Sequence, residues 1–159
     1  MDQQRLRELL DYDVETGVFT WRESRGGSQS GGVAGFMNPK GYVRICISGK
    51  RYAAHRLAWL YVNGEWPSGE VDHLNGVRND NRIANLRDAT TSINQQNQRQ
   101  ARTNNRSSGL LGVTRKRSKW QAQIETNGRN VFLGCYSTKE DAHLAYLKAK
   151  RERHDGCTI

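Results

Sequence analysis

Residues 71–97 read Val-Asp-His-Leu-Asn-Gly-Val-Arg-Asn-Asp-Asn-Arg-Ile-Ala-Asn-Leu-Arg-Asp-Ala-Thr-Thr-Ser-Ile-Asn-Gln-Gln-Asn. A carboxylate and an imidazole are neighbours at Asp72 and His73. Polar residues and a glycine follow, where a packed strand would need apolar ones. Two further amides arrive at Asn85 and Asn94, and Leu86 and Ile93 can anchor the stretch in a core.

These side chains suit phosphodiester hydrolysis. An Asp carboxylate and an Asn carbonyl are hard oxygen donors for Mg²⁺, with water and phosphate oxygens completing its shell. Such a cation polarises the phosphate and assists the leaving oxygen. A neutral His, with an ordinary pKa of about 6.5, takes the proton of the attacking water. Asp and Asn more commonly cap helices and shape turns, and Asn79, Asp80 and Asn81 also fit that use. From these residues alone, Asn85 and Asn94 do not rank above Asn75, Asn79, Asn81 or Asn97.

The combination closely resembles the HNH nucleases, in the asparagine-rich form of phage and intron-encoded homing endonucleases. The matching residues begin at His55-Arg56-Leu57-Ala58-Trp59. They continue through Asp72-His73, Asn79-Asp80-Asn81-Arg82, Asn85-Leu86 and Asn94. The resemblance implies that Asp72 binds metal, His73 is the general base, and Asn85 orients and polarises it. Asn94 takes the final position, where other members carry His, as second metal ligand. The implied fold is a ββα-metal unit. Its strands are 70–73 and 86–89, joined by a loop with a short helical turn. A helix then runs from a Thr90 or Thr91 cap through Asn94 toward Arg99. The implied cofactor is one Mg²⁺ or Mn²⁺ per active site. The cysteine ligands of zinc-braced relatives are missing, so no structural zinc is expected. His55 has the alternative reading of a structural, hydrogen-bonding histidine.

The 159 residues suit one compact domain or two small ones. Only 35% are hydrophobic, mean hydropathy is −0.86 and there are 16 glycines. Two small cores on a polar tether fit better than one large core. The net charge of +9 and pI of about 9.8 favour a polyanionic partner, most simply nucleic acid. From Gln95 to Cys135 there are eight Arg or Lys residues and one acidic residue, Glu125, a concentration suited to phosphate contacts. No apolar run approaches a membrane span, and the first residues lead into no secretory hydrophobic region. Cys46, Cys135 and Cys157 form no Cys-x-x-Cys pair, so no disulfide framework is expected. The expected setting is a reducing cell interior, the bacterial host cytoplasm if the chain is phage-encoded.

Before the central stretch, 2–10 reads as a helix with a Leu6, Leu9, Leu10 stripe. Tyr12 to Trp21 reads as a hairpin turning near Glu15-Thr16-Gly17. Residues 22–35, rich in Gly and Ser, read as a mobile or irregular connection. Tyr42 to Ile47 alternates as a strand, with a turn at 48–50 and a return at Arg51-Tyr52-Ala53. His55 to Tyr61 reads as a helix. Arg51 and Arg56 are candidates for phosphate contact or for ordinary solvent exposure. Arg99, Arg102 and Arg106, spaced by three and four, make a partial basic stripe on a helix or track the DNA backbone on an irregular linker.

From Gly109 the organisation changes. Leu111-Gly112-Val113-Thr114 starts a strand, Lys119 to Glu125 alternates as a second, and Arg129 to Tyr136 supplies a third after the Asn127-Gly128 turn signal. Ser137 or Thr138 caps a helix with Ala142, Ala145, Tyr146 and Ala149 on one face. The segment resembles an AP2 DNA-binding domain in Gly112-Val113, Lys119-Trp120-Gln121-Ala122-Gln123-Ile124, Phe132-Leu133-Gly134, Thr138-Lys139-Glu140-Asp141-Ala142 and Ala145-Tyr146. That resemblance implies a three-stranded sheet on one helix, with the sheet laid into the major groove. Arg115, Lys116, Arg117, Lys119, Trp120, Gln121, Gln123 and Arg129 are the implied contacts. Thr114 stands where plant relatives commonly have arginine, so their base preference does not transfer. Trp120 has a second reading as a core residue.

The expected class is α+β: a ββα-metal HNH domain over 1–98, a basic linker over 99–108 and an AP2-like domain over 109–159. The expected activity is a site-directed, metal-dependent DNA endonuclease, nicking or homing, on double-stranded DNA. Neither a membrane nor an obligate protein partner is expected. Two other classes fit part of the pattern: a DNA-binding regulator with an inactive nuclease domain, and an RNA-binding accessory protein.

Overall fold

The computed structural model describes residues 1–24, 26–101, 105 and 107–159. The chain divides into two compact units, Met1–Thr91 and Ser92–Ile159.

The first unit opens with α1 (Gln3–Leu9), where the Asp2 carboxylate accepts the Arg5 N–H at 2.8 Å and caps the helix. Leu10, expected to end this helix, instead begins β1 (Leu10–Tyr12), because its side chain is fully buried in the core beside Leu6 and Leu9. β1 pairs antiparallel with β2 (Phe19–Trp21). The Gly- and Ser-rich segment is less irregular than its composition implies. Trp21 N–H donates to Gly32 O at 2.9 Å, Gly31 N–H to Trp21 O at 2.7 Å and Ala34 N–H to Phe19 O at 2.7 Å. Backbone pairing of this kind needs no apolar side chains, so composition does not reveal it.

A three-stranded sheet follows in the order β3 (Phe36–Met37), β4 (Val43–Ile47), β5 (Lys50–Ala53). α2 (Ala54–Asn63) buries Ala54, Leu57, Ala58 and Leu60 on one face. The core combines α1, α2, both hairpin strands, Ile45 and Ile47 with Val71 and Leu86. Those last two belong to an antiparallel ribbon, β6 (Glu70–His73) and β7 (Leu86–Ala89), with the expected bounds. A 3₁₀ turn, Ile83–Asn85, leads into β7.

α3 (Thr91–Gln96) ends short of Arg99. Asn97 N–H is shared between the carbonyls of Ile93 and Asn94 at 3.2 Å each, a loosened last turn. In the second unit, residues 96–99 are held by the C-terminal tail: Gly156 N–H donates to Gln96 Oε1 at 2.9 Å and Arg99 Nη2 to Thr158 Oγ1 at 2.7 Å. Lys150, 1% exposed, donates to the Gln98 carbonyl. The expected linker therefore starts inside a packed segment. Arg102 and Arg106 lie outside the described residues.

The remainder is a three-stranded antiparallel sheet, order β10-β9-β8, built from β8 (Val113–Lys116), β9 (Lys119–Thr126) and β10 (Arg129–Tyr136). α4 (Lys139–Arg153) packs on one face and is capped by Thr138 Oγ1, which accepts the Asp141 N–H at 3.1 Å. Val113 and Ala122 pack with Ala142, and Ile124 with Tyr146 and Ala149, in two small clusters.

Gly112 is the closest approach in this core. Its φ is +69°, and a Cβ there would overlap the Tyr146 ring. Gly112→Ala is expected to destabilise the second unit by about 2–4 kcal/mol, combining backbone strain with overpacking. Urea unfolding followed through Trp120 fluorescence, with the other tryptophans replaced, measures it. A midpoint equal to that of the parent would refute the close-packing argument.

Candidate active site and nucleic-acid face

The β6–β7 register sets the site. Asp72 stands opposite Arg87, and His73 opposite Leu86. Successive residues on a strand face opposite ways, so adjacency in sequence does not place Asp72 and His73 on one face. His73 shares its face with the core residues Val71 and Leu86. Asp72 lies on the other face and accepts two hydrogen bonds on Oδ2, from Arg87 Nη2 at 2.7 Å and Nε at 3.0 Å. The Asp72 side chain is 7% exposed and that of Arg87 24%.

After His73 the chain enters a polar loop whose asparagines have separable roles. Asn85 Oδ1 accepts the Asn75 N–H at 2.9 Å, and its Nδ2 donates to Asp80 O at 2.8 Å. Asn85 thereby closes the loop. Asn75 Nδ2 donates to Asp80 Oδ2 at 2.6 Å. Arg82 binds the same carboxylate, and its hydrogen bonds, ahead of the Asn75 bond, hold the Asp80 carboxyl down to about 2. Asn81, 2% exposed, brings Oδ1 to 3.4 Å from His73 Nε2. Its Nδ2 donates to Asn79 O at 3.3 Å, which orients the amide.

An amide oxygen facing Nε2 favours the tautomer with the proton on that nitrogen, leaving Nδ1 as the basic one. Burial pushes the His73 pKa down, opposed by the Asn81 hydrogen bond and by the Asp72 and Asp80 charges. His55 packs edge-on against His73 with centroids 5.1 Å apart, and Tyr42 lies 5.5 Å from His55 and 6.0 Å from His73. Burial pushes His55 down to about 3, and His73, Arg44 and Arg56 add repulsion. His55 Nδ1 is buried without a hydrogen-bond partner among the described residues. His55 is thus a neutral ring against the His73 ring. Arg56 donates to Gly69 O at 3.0 Å and steadies the entry to β6, while Arg51 is exposed.

Asp72 offers one hard carboxylate of the kind that binds a divalent cation, and among the described residues no group of three or more His, Cys, Asp or Glu is placed to hold a metal ion. Mg²⁺ is commonly held by one or two carboxylates while water and phosphate fill its other positions. Asn94, the other implied ligand, sits half-buried on α3. Arg87 and Asn81 are the site residues that sequence reading did not single out.

In the second unit, strand alternation sorts the implied DNA contacts. Val113, Ala122 and Ile124 define the helix-facing side. Arg115 pairs with Trp120 on that side, its guanidinium 5.1 Å above the indole, and Trp120 packs on the core. Thr114, Lys116, Lys119, Gln121 and Gln123 alternate onto the open face. Phe132 pairs with Gln123 there and is 62% exposed, a contact candidate that sequence reading passed over. Arg117 sits in the β8–β9 turn with φ +56°, and Arg129 is exposed at the start of β10.

Residues 52–96 match the family model described as HNH endonuclease. The match spans α2, the β6–β7 ribbon with its loop, and α3, and supports an HNH nuclease domain in this stretch. No curated protein and no solved structure gives a significant match. Among the described residues, no helix is long and apolar enough to cross a membrane.

The loop is braced from outside by the β1–β2 hairpin. Tyr12 Oη donates to Asn81 O at 2.7 Å, and burial holds this phenol up, to about 12. Gly17, with φ +72°, lies so close that a Cβ would overlap the Asn81 and Arg82 backbone. Gly17→Ala is expected to cost about 2–4 kcal/mol and to displace Asn81 from His73. Thermal unfolding reads the first effect and the His73 imidazole ¹⁵N shifts the second. Unchanged shifts in a folded variant would show that the hairpin does not position Asn81.

Proposed function

We propose that the chain is a metal-dependent DNA endonuclease of the HNH type, in which the first unit hydrolyses the phosphodiester and the second locates the site. The observation that carries this reading is the coincidence of the family match over 52–96 with a buried His73 whose Nε2 faces the Asn81 amide.

In this reading His73 is the general base. Asn81 holds the Nε2–H tautomer, which leaves Nδ1, at the end of β6 where the strand gives way to the loop, as the nitrogen that takes the proton. His55 and Tyr42 pack the ring in place. Asn85 acts through the loop that it closes, which carries Asn81 and Asp80. Asp72 is the metal ligand of the first unit. A bound Mg²⁺ or Mn²⁺ supplies charge for the phosphate and the departing oxygen. One such centre per chain makes a single-strand nick the simplest product, and a site-directed or homing role follows from the resemblance to that branch of the family.

The second unit supports DNA as the substrate. Its fold of three antiparallel strands on one helix agrees with the AP2-like reading. Gln121 and Gln123 present amides able to pair with adenine in the major groove, Lys116 and Lys119 offer phosphate contacts, and Phe132 offers an apolar surface beside them.

His73→Ala is expected to lower nicking of supercoiled plasmid by at least about a hundredfold, with duplex affinity within about threefold of the parent. Near-normal cleavage by the folded variant would reject the assignment. Asp72→Asn should raise the Mn²⁺ concentration needed for half-maximal rate; a titration superimposable on the parent would remove Asp72 from the metal site. For the open face, Gln123→Ala and Phe132→Ala should narrow the preference for target over scrambled duplex, by about 1–3 kcal/mol for a lost bidentate base contact. Lys116→Ala should instead weaken both duplexes alike and flatten the salt dependence. Gel shifts at matched salt separate the two patterns, and an unchanged preference ratio in the Gln123 and Phe132 variants would clear this face of base reading.

A further inference from the structure

We propose that Arg87 serves two partners in turn: the Asp72 carboxylate while no cation is bound, and a phosphate oxygen of the DNA once Asp72 turns to a divalent cation. The inference rests on the nuclease reading above and deepens it.

Asp72 and Arg87 are directly opposite in the β6–β7 ribbon, so the backbone itself holds them together. Two guanidinium N–H groups converge on a single carboxylate oxygen, Oδ2, at 2.7 and 3.0 Å. A positive charge at that distance offsets much of the attraction that the carboxylate exerts on a second cation. Arg87 is also the more exposed member, 24% against 7%, so it forms the outer side of the pair.

Neither partner can simply be released. Separating a largely buried ion pair leaves an uncompensated charge, which costs several kcal/mol. Exchange avoids that state. A divalent cation replaces the guanidinium on Asp72, and a phosphate oxygen replaces the carboxylate on Arg87. The planar fork of N–H donors on Arg87 fits phosphate as well as carboxylate. Both replacements arrive together only when DNA lies across the ribbon. Metal and DNA therefore strengthen each other's binding, and by linkage the coupling runs equally in both directions.

The test is Mn²⁺ affinity, read by electron paramagnetic resonance on the full chain. Without DNA, Arg87→Gln should bind Mn²⁺ at least about fivefold more tightly than the parent, and Asp72→Asn should abolish that binding. In a His73→Ala background, which prevents cleavage, duplex DNA should tighten Mn²⁺ binding, and adding Arg87→Gln should remove most of this gain. In the same His73→Ala background with duplex DNA bound, the Arg87 Nε–H resonance should move with the same Mg²⁺ midpoint as metal binding. The proposal is overturned if folded Arg87→Gln binds Mn²⁺ no more tightly than the parent, or if the Nε–H resonance stays fixed through Mg²⁺ saturation with duplex DNA bound. A parent that shows the metal pattern but nicks no plasmid would instead refute the nuclease reading alone.

Discussion

In the β6–β7 ribbon, His73 faces Leu86 and Asp72 faces Arg87, and this register decides which chemistry the strand can present. Val71 and Leu86 reach the core from one face, and His73 must follow them because strand side chains repeat every second residue. A slip of one residue would exchange the faces, exposing the apolar pair and burying charged ones. Hydrophobic burial thus sets where the imidazole goes. The same alternation puts Asp72 on the face away from the core, where Arg87 meets it.

The loop from Leu74 to Asn85 shows how a polar segment is made rigid without apolar packing. Buried amides are tolerated only when their donors and acceptors find partners. Asn85 spans the loop, Asn75 and Arg82 secure Asp80, and Asn81 is fixed between Asn79 and the Tyr12 hydroxyl. Amides suit this work because each offers donors and an acceptor with no charge to desolvate. The asparagine-rich composition is therefore mainly structural, and one of its members turns an oxygen toward the imidazole.

How much of this was legible in the residues varies with the kind of information each position carries. The β6 and β7 bounds came from the HNH resemblance, which implies strands at 70–73 and 86–89. Those same bounds place Asp72 opposite Arg87, so the ion pair was implicit in an expectation that concentrated on asparagines. The separate roles of Asn81 and Asn85 were not readable, since both are amides in one loop and only the closed backbone tells them apart. β3 has two residues, Phe36 and Met37, both exposed, and presents no burial pattern to detect. Gly31 to Ala34 pair with β2 through backbone groups that composition does not reveal. The pairing of His55 with His73 joins residues 18 apart through tertiary packing and leaves no periodic signal.

Alternation also clarifies the second unit. Arg115 and Trp120 are prominent in sequence as basic and aromatic residues before a hairpin, the usual marks of a nucleic-acid contact. Their register puts them on the side of Ala122 and Ile124, where the indole completes the core and the guanidinium stacks over it. If the proposed groove receives the open face, such an arginine would meet the DNA from the rim and not from the face that the glutamines occupy. On that face the groups able to distinguish bases are neutral: two glutamine amides and the Phe132 ring. In the proposed DNA contact, the lysines beside them would add affinity for any duplex. Under the proposed function, base reading and charge neutralisation would fall to different side chains of one surface, as expected where phosphate contacts set position and base-edge contacts set sequence.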